Sequence, residues 1–362
     1  MDQNQLPTYH IFIHPNDFKE LRSDLWSDDP VPGYLKTDNK KWDIDIVYRG
    51  SHTRKFNKRS YYISFFNPKT FKGVKEIHLN AEFKDLSLMR NKLSLDFFSR
   101  IGVLAPNSKH VFLNINGKSE GVYLQLESVN EDFFKKRNYP LGAIFYAIDG
   151  DANFSLLSDL DQDVKESLDL GYEMKYGTDE DQCHLQELIY KINTLPKTEF
   201  EENIQQYLDV PKYLRWLAGV ICTQNYDGFV HNYSLIRNRD TGKFEISPWD
   251  YDGTWGRDVN GKVMEYDYVR IEGFNTLTAR ILDIDSFRKE YQNILNQILL
   301  NEFTIENMKP KIFELYETLR PFIVKDPYKK HLLTEFDDEP EFILNFIKDR
   351  NQYLKDKLTK LD

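Results

Sequence analysis

Three short polar side chains stand out in the middle of the sequence, namely Asp227, Asn232 and Asp250. Asp227 follows an apolar segment that ends at Cys222, and Asn232 comes five residues later. Asp250 follows the second of two short strand-like segments, which are joined by Asp240-Thr241-Gly242. Because such a pattern predicts a hairpin, and a hairpin brings its two ends together, we expect Asn232 and Asp250 to be neighbours in space.

Oxygen-donating side chains that meet at a hairpin base suit Mg²⁺. This ion takes hard oxygen ligands, keeps several waters and is usually completed by substrate phosphates. The Asp-x-x-x-x-Asn spacing of Asp227 and Asn232 also matches the catalytic loop of protein kinases, where the Asp orients the substrate hydroxyl and the Asn holds metal. Asp252 lies two residues after Asp250 and is a further candidate ligand. The set therefore indicates a magnesium-dependent phosphoryl-transfer site.

Each of these residues also has a structural interpretation. Asp and Asn at helix ends and turns commonly cap backbone groups, so Asp227-Gly228 also fits a turn. For Asp252-Gly253 the turn is the favoured interpretation. His231 has the chemistry of a base, but a lone histidine beside a strand is more often structural, and we assign it no catalysis.

Phosphoryl transfer also needs positive charge over the phosphates, because positioning and electrostatic stabilisation carry that chemistry. The segments 49–54 and 58–60 supply basic side chains between two predicted strands. A solvated strand edge is an equally good interpretation for any one of them. Glu127, at the end of a predicted hairpin, is a candidate ion-pair partner for one of these cations.

Nucleotide binding of a common type is excluded, since the sequence has no Gly-x-Gly-x-x-Gly loop and no Walker sequence. Tyr146 and Trp249 offer flat aromatic faces to a base, with ordinary core packing as the alternative interpretation. Any nucleotide site would therefore be atypical.

The elements that position these residues change character along the chain. Residues 1–148 predict mainly strands, at 9–14, 42–49, 61–66, 76–80, 111–115 and 121–127, with one helix over 88–101. Residues 149–362 predict mainly helices, including 285–300, 305–321 and 340–358, around the hairpin that lies within 227–252. We therefore predict an α+β protein with a strand-rich N-terminal domain, 1–148, and a helical C-terminal domain, 149–362, in which 149–181 is a surface insertion.

Composition narrows the classes of partner. The 362 residues carry 58 acidic and 48 basic side chains, a net charge of −10, which is opposite to that of a general nucleic-acid binder. Cys183 and Cys222 are too few for a disulfide framework. Residues 1–14 lack a signal-peptide pattern, and the apolar stretch 216–222 is too short to span a bilayer. We expect a soluble cytosolic protein with neither nucleic-acid nor membrane partners.

Six motifs resemble the spore coat protein H (CotH) family, over essentially the whole chain and with the Bacillus members as the most similar. The motifs are Arg49-Gly50-Ser51, Lys58-Arg59-Ser60-Tyr61, His78-Leu79-Asn80-Ala81-Glu82, Met89-Arg90-Asn91-Lys92-Leu93, the segment from Asn225 to Tyr233, and Pro248-Trp249-Asp250-Tyr251-Asp252.

The resemblance implies an atypical protein kinase with a distant kinase-like, two-lobed fold. Such an enzyme uses ATP and Mg²⁺ to phosphorylate serines of basic, Ser-rich coat proteins, with CotB and CotG as expected substrates and autophosphorylation as a further expectation. Its expected location is the mother-cell cytoplasm and then the spore coat. The acidic net charge fits basic substrates, because opposite charges speed encounter.

The resemblance also implies roles for single residues. The catalytic residue is Asp227, the metal ligands are Asn232 and Asp250 with Asp252 assisting a second ion, the phosphate contacts are Lys58, Arg49 and Arg54, and the rings that sandwich adenine are Tyr146 and Trp249.

Two other function classes stay open at this point. A coat organiser that works by binding alone is compatible with an acidic, aromatic-rich surface. A metal-dependent hydrolase would use the same aspartates. Transfer of AMP in place of phosphate is open as well.

Overall fold

The computed structural model describes residues 6–361, apart from the side chain of His52. The strands are β1 Thr8–Ile13, β2 Val31–Thr37, β3 Lys40–Arg49, β4 Ser60–Asn67, β5 Glu76–Asn80, β6 Ser108–Ile115, β7 Lys118–Leu126, β8 Leu141–Ala147, β9 Tyr172–Tyr176, β10 Tyr233–Asn238 and β11 Phe244–Pro248. The helices are α1 Pro15–Ser23, α2 Arg90–Arg100, α3 Glu131–Lys135, α4 Asp179–Thr194, α5 Lys197–Tyr207, α6 Val210–Thr223, α7 Thr276–Leu282, α8 Asp285–Asn301, α9 Ile305–Ile323 and α10 Leu333–Leu358. The mixed α+β class that we predict is confirmed.

Two compact units divide the chain, and each is formed by segments that are separate in sequence. The first unit contains the described residues up to Lys92, together with Asn107–Ser128 and Pro310–Phe342. The second unit contains Leu93–Pro106, Val129–Lys309 and the described residues from Ile343. This course differs from the single boundary predicted after residue 148, and the two-lobed arrangement stays a prediction.

The first unit is built on a closed barrel with the strand order β1-β2-β3-β4-β5-β7-β6, in which β6 pairs with β1 in parallel. Alternating apolar residues predict β3, and Trp42, Ile44 and Ile46 are indeed buried while Asp43 and Asp45 are partly exposed. Burial of this apolar face inside the barrel is the main contribution to the stability of the unit.

Buried charges join the segment 310–342 to the barrel of the first unit. The Lys58 ammonium lies 3.1 Å from the Asp326 carboxylate, and both side chains are fully buried. Arg90 pairs with Asp85 at 2.7 Å and with Glu339 at 2.6 Å. Since Asp326 and Glu339 are far in sequence from Lys58 and Arg90, no local pattern predicts that residues 310–342 belong to this unit.

The second unit contains a four-stranded antiparallel sheet with the order β11-β10-β8-β9. The helix α6 packs against α8 and β11, and its residues from Trp216 to Thr223 are all buried. The hairpin predicted around Asp240-Thr241-Gly242 is confirmed as β10 and β11. The prediction that 149–181 is only a surface insertion is wrong, because this segment contains β9 and buries residues 151–154.

Across residues 6–361, no helix is both long enough and apolar enough to cross a membrane.

Candidate active site

The first candidate residues follow directly after the end of α6. Asp209 accepts a hydrogen bond from the Lys212 amide and begins this helix, and Gln224 ends it with a left-handed backbone at φ 58°. Asn225 follows directly, and its side-chain oxygen accepts a 3.1 Å hydrogen bond from the Gly228 amide. The helix end therefore turns the chain sharply at the position of Asp227.

Asp227 begins a single 3₁₀ turn, Asp227–Phe229. Its backbone carbonyl accepts hydrogen bonds from the amides of Val230, at 3.1 Å, and His231, at 2.9 Å. The turn interpretation of Asp227-Gly228 is therefore correct for the backbone. The half-buried carboxylate takes part in no hydrogen bond or ion pair with any residue in the described range 6–361, so turn formation leaves it available.

Gly228 brings this turn against the segment that follows β11. A Cβ atom at position 228 would lie 2.8 Å from the hydroxyl oxygen of Tyr251, a distance that real Cβ contacts do not reach. Only glycine permits this approach, because it has no side chain. Tyr251 is fully buried and is flanked by Asp250 and Asp252. The Asp227 turn and the segment with the two other carboxylates are therefore packed together.

The hairpin brings Asn232 and Asp250 to its open end. The pairing of Tyr233 with Pro248 is the last of the ladder, and one residue beyond it the Trp249 amide donates a 3.0 Å hydrogen bond to the Asn232 carbonyl. Asn232 and Asp250 have left-handed backbones, at φ 62° and 57°. Asn and Asp adopt this region more readily than other residues with a side chain, but it is still uncommon. The expectation that these two residues are neighbours agrees with the pairing register.

The segment from Asp250 to Trp255 is anchored within the second unit by α2. The Ser94 hydroxyl lies 3.2 Å from the Thr254 hydroxyl and accepts a 2.9 Å hydrogen bond from the Trp255 ring nitrogen. The Tyr251 ring packs edge-on against Phe98, with centroids 5.0 Å apart. This anchoring fixes the backbone on both sides of the candidate ligand Asp252.

Asp252 itself lies in a turn, where its carbonyl accepts a 3.1 Å hydrogen bond from the Thr254 amide. The next aspartate, Asp258, caps a separate turn by accepting hydrogen bonds from the amides of Asn260, at 2.9 Å, and Lys262, at 2.8 Å. The Asp258 carboxylate thus accepts hydrogen bonds from backbone amides, whereas the Asp227 carboxylate accepts none within residues 6–361.

Two further polar atoms at this site are buried without a hydrogen-bond partner among the described residues. They are the side-chain nitrogen of Asn225 and the ring nitrogen Nδ1 of His231. Native proteins leave few buried polar atoms unsatisfied, so such atoms need an explanation. Asn225 is the first residue of one of the motifs that resemble the CotH family, but its type gave no sign that it would be buried.

The donor set fits Mg²⁺ better than a metal that needs a full protein cage. The Asn232 amide oxygen and the Asp250 carboxylate are hard oxygen donors, and the Asn232 side chain makes no hydrogen bond within residues 6–361. In the same range no group of three or more His, Cys, Asp or Glu is arranged to hold a metal. Mg²⁺ is the ion that is commonly held by one or two protein ligands, with waters and substrate phosphates completing its shell.

The basic residues predicted to contact phosphate lie in the first unit and have protein partners there. Lys58 donates to the Val122 carbonyl at 2.5 Å as well as to Asp326, and burial lowers its pKa. Arg54 donates to the Gly50 carbonyl at 2.7 Å and to Asp28 at 2.6 Å. Arg49 donates to the Asn80 side chain. These contacts show a structural use for each cation, and the phosphate roles stay predictions.

The remaining predicted residues have local partners too. Glu127 accepts hydrogen bonds from the backbone and side-chain nitrogens of Asn107, at 3.1 and 3.0 Å. The rings of Tyr146 and Trp249 contact each other, with centroids 5.2 Å apart and an angle of 48° between their planes. A base would fit between these rings only if they separated, so the proposed adenine sandwich has no counterpart in this arrangement.

Comparisons with known proteins agree with the motifs. A family model described as CotH kinase protein matches residues 46–354. Inner spore coat protein H of Bacillus subtilis (strain 168) is 59% identical over 360 residues, which cover 99% of each chain. An inner spore coat protein H-like protein of the same strain is 28% identical over 352 residues, covering 97% of this chain and 99% of the relative.

One solved structure is similar over most of its length. It is that of CtkA, a proinflammatory kinase of Helicobacter pylori, with 11% identity, a TM-score of 0.34, and coverage of 91% of this chain and 93% of the other. A TM-score of this size carries no argument about the fold. The family match and the identity over nearly the full chain do carry one: the chain belongs to the CotH kinase protein family.

Proposed function

We propose that this protein is an ATP- and Mg²⁺-dependent protein serine kinase that phosphorylates basic, Ser-rich proteins of the spore coat. One observation carries the proposal. The Asp227 carboxylate and the Asn232 amide have no protein partner in residues 6–361, although the Gly228–Tyr251 contact and the β10–β11 pairing hold them beside the segment of Asp250. The backbone of these two residues is held in place, while their side chains make no hydrogen bond or ion pair with the described residues. Such side chains are suited to bind an external ligand.

Asp227 accepts the proton of the substrate serine hydroxyl and orients that hydroxyl. A carboxylate that no protein donor occupies can take this hydrogen bond without breaking another. Asn232 and Asp250 hold Mg²⁺, and Asp252 assists at a second ion. When bound, Mg²⁺ neutralises phosphate charge and orients the triphosphate.

Asn225 stabilises the same turn through its hydrogen bond to the Gly228 amide. Its side-chain nitrogen is buried without a partner among the described residues, so it is available as a donor to a ligand or to ordered water. We infer that Asn225 supports Asp227 by fixing the turn in which the carboxylate lies.

Substrates of basic charge fit the net charge of −10, since opposite charges increase the rate of encounter. The similarity to a protein named for the inner spore coat supports coat proteins as the substrate class, with CotB- and CotG-like proteins as the expected members. By the same similarity we infer synthesis in the mother-cell cytoplasm and assembly into the coat.

The direct test incubates the purified chain with ATP, Mg²⁺ and a basic peptide that contains several serines. Mass spectrometry is expected to find phosphate on serine with the wild type and not with Asp227→Asn. The matched control is Asp258→Asn, because Asp258 is an aspartate of the same unit that only caps a turn. A wild type that leaves the peptide unmodified, or cleaves it, would contradict the proposal and favour a binding protein or a hydrolase.

A further inference from the structure

The segment between β8 and β9 begins with the spacing of a cation-binding loop. Asp149, Asp151 and Asn153 alternate, and Ca²⁺-binding loops open with carboxylate and amide side chains at these positions. Ca²⁺ loops then have a glycine for a sharp turn, and here Phe154 takes a left-handed backbone at φ 58°. Phe154 thus has the left-handed backbone at the position where such loops have a glycine.

The cation at this loop is a side chain of the protein itself. Lys165 is 6% exposed, and its ammonium donates a 2.8 Å hydrogen bond to the Asn153 side-chain oxygen and another to the Asp151 carbonyl. A short antiparallel bridge between Leu157 and Val164 returns the chain so that Lys165 reaches these oxygens. Burial lowers the pKa of Lys165, while the charges of nearby aspartates, Asp151 first, act in the opposite direction.

Ala152 and Phe154, which alternate with Asp151 and Asn153 along the loop, contact Tyr233. The Tyr233 hydroxyl donates a 2.6 Å hydrogen bond to the Ala152 carbonyl and lies 2.7 Å from the Tyr172 hydroxyl. The Phe154 ring stacks on the Tyr233 ring, with centroids 5.7 Å apart and planes within 9° of parallel. Tyr233 is 1% exposed and directly follows Asn232.

We propose that the Lys165 ammonium takes the place of a metal ion as the built-in cation of this loop, and that the loop thereby holds Tyr233 and the backbone of Asn232. Lys165 and Tyr233 are positioning residues in this account. The role of Asn232 as a ligand rests on the proposed function, whereas the ordering of the loop and of Tyr233 does not.

The uncommon left-handed backbone of Asn232 needs contacts that hold it in place, and the loop supplies some of them through Tyr233. A residue in this region persists where its surroundings over-determine it, and Tyr233 is held on one side by the hairpin and on the other by the loop. Loss of the ammonium leaves the Asp151 carbonyl and the Asn153 side-chain oxygen without their donor and leaves neighbouring carboxylates unbalanced. The loop then loses order, and the loss reaches residue 232.

Hydrogen–deuterium exchange on the Lys165→Met variant tests the coupling. Methionine has a similar length but no charge, so the variant removes the cation with little change in volume. Amides of 149–172 and of 230–236 are expected to exchange about tenfold faster, which is what a local loss of about 1.4 kcal/mol gives. Lys197→Met is the control, since the Lys197–Asp283 pair of the same unit is exposed. Faster exchange in 149–172 with no change in 230–236 would overturn the proposal.

The Tyr233→Phe variant keeps the test decisive if Lys165→Met fails to fold. It removes one hydroxyl and leaves the ammonium and its acceptors in place. Exchange in 230–236 is expected to rise, while exchange around 163–166 stays at the wild-type level. Wild-type exchange in 230–236 in this variant would show that the loop does not hold the Asn232 backbone, and would likewise overturn the proposal.

A binding measurement connects the loop to the metal site. The Mg²⁺ concentration that supports half-maximal binding of a fluorescent ATP analogue is expected to rise about 10- to 100-fold in Lys165→Met, the usual effect of losing a residue that orients a ligand. An unchanged Mg²⁺ requirement would overturn the positioning role. If the wild type binds no nucleotide, the proposed function fails, and the exchange experiment alone decides whether Lys165 holds the hairpin.

Discussion

Asn232 directly precedes the first strand of one hairpin, and Asp250 lies two residues after the end of the second strand, so the two residues occupy adjacent positions of the register. Both have a left-handed backbone. The hydrogen bond from the Trp249 amide to the Asn232 carbonyl closes the hairpin between them. Two uncommon backbone conformations at one end of one hairpin are a feature that functional sites retain in spite of its cost in stability.

Replacing Asp227 by asparagine is expected to lower the rate of phosphate transfer about 10²- to 10⁴-fold, the usual contribution of a positioned general base. The change keeps the size of the side chain and leaves the backbone carbonyl that closes the turn. Steady-state kinetics with a serine peptide measure the rate, and thermal unfolding checks the fold. Equal losses in Asp227→Asn and Asp258→Asn would mean that the effect is not specific to Asp227.

Two substitutions at Asn232 separate its backbone from its side chain. Asn232→Gly removes the side-chain amide, but glycine tolerates φ 62°. The Mg²⁺ concentration needed for half-maximal nucleotide binding is therefore expected to rise, with little loss of stability. Asn232→Ala removes the amide and strains the backbone, which costs a further ~1–2 kcal/mol of the free energy of unfolding.

Magnesium titrations of nucleotide binding and urea unfolding measure these two effects of the Asn232 variants. Asn232→Asp keeps an oxygen ligand and serves as the control. Should Asn232→Gly bind Mg²⁺ and nucleotide like the wild type, Asn232 is not a ligand.

The hairpin shows what local sequence predicts well. Asp240-Thr241-Gly242 between two strand-like segments predicts β10 and β11, and their pairing then follows. The alternation in 42–49 predicts β3 because one face is buried and the other partly exposed from Trp42 to Ile46, although Val47 on the second face is buried as well. In contrast, the continuous apolar run of β8 has no period that separates a central strand from a buried helix, and this strand was not predicted.

The buried pair Lys58–Asp326 shows what local sequence does not predict. The two residues are 268 positions apart, and no composition or spacing links them. From the sequence, Lys58 was therefore interpreted as a phosphate contact or as part of a solvated strand edge, and not as a buried ion-pair partner.

Lys58→Met is expected to lower the free energy of unfolding by about 3–5 kcal/mol, because it leaves the buried Asp326 carboxylate without its counterion. Lys41→Met is the control, since the Lys41–Asp43 pair is exposed and such pairs contribute about 0–1 kcal/mol. Urea unfolding measures both. A Lys58→Met variant with wild-type stability would argue that the lysine serves a ligand and not the fold. The double variant Lys58→Met/Asp326→Asn is expected to recover part of the loss.

His110 predicts a pH dependence of stability. Burial lowers the pKa of this histidine from 6.5 to about 4, and its ring nitrogen lies 2.7 Å from the Leu88 carbonyl. Between pH 6.5 and 4 the unfolded chain binds a proton that the folded chain does not, so stability falls as the pH falls.

The size of this effect is ~3 kcal/mol, from 1.36 kcal/mol per pKa unit. The wild type is therefore expected to lose about that much more stability than His110→Gln when urea unfolding at pH 7 is compared with unfolding at pH 4. His184→Gln, at a partly exposed helix position, is the control. Parallel pH profiles of the wild type and His110→Gln would contradict the prediction.

Two labels of ATP, followed through one reaction, show directly whether the protein transfers the γ-phosphate to serine with the help of Asp250. The wild type and Asp250→Ala are incubated with Mg²⁺, a basic serine-containing substrate, and ATP labelled at either the γ- or the α-phosphate. We predict γ-label on the substrate serines with the wild type, loss of that label by orders of magnitude with Asp250→Ala, and no transfer of α-label. Transfer of α-label, or γ-label that persists in Asp250→Ala, would contradict the account.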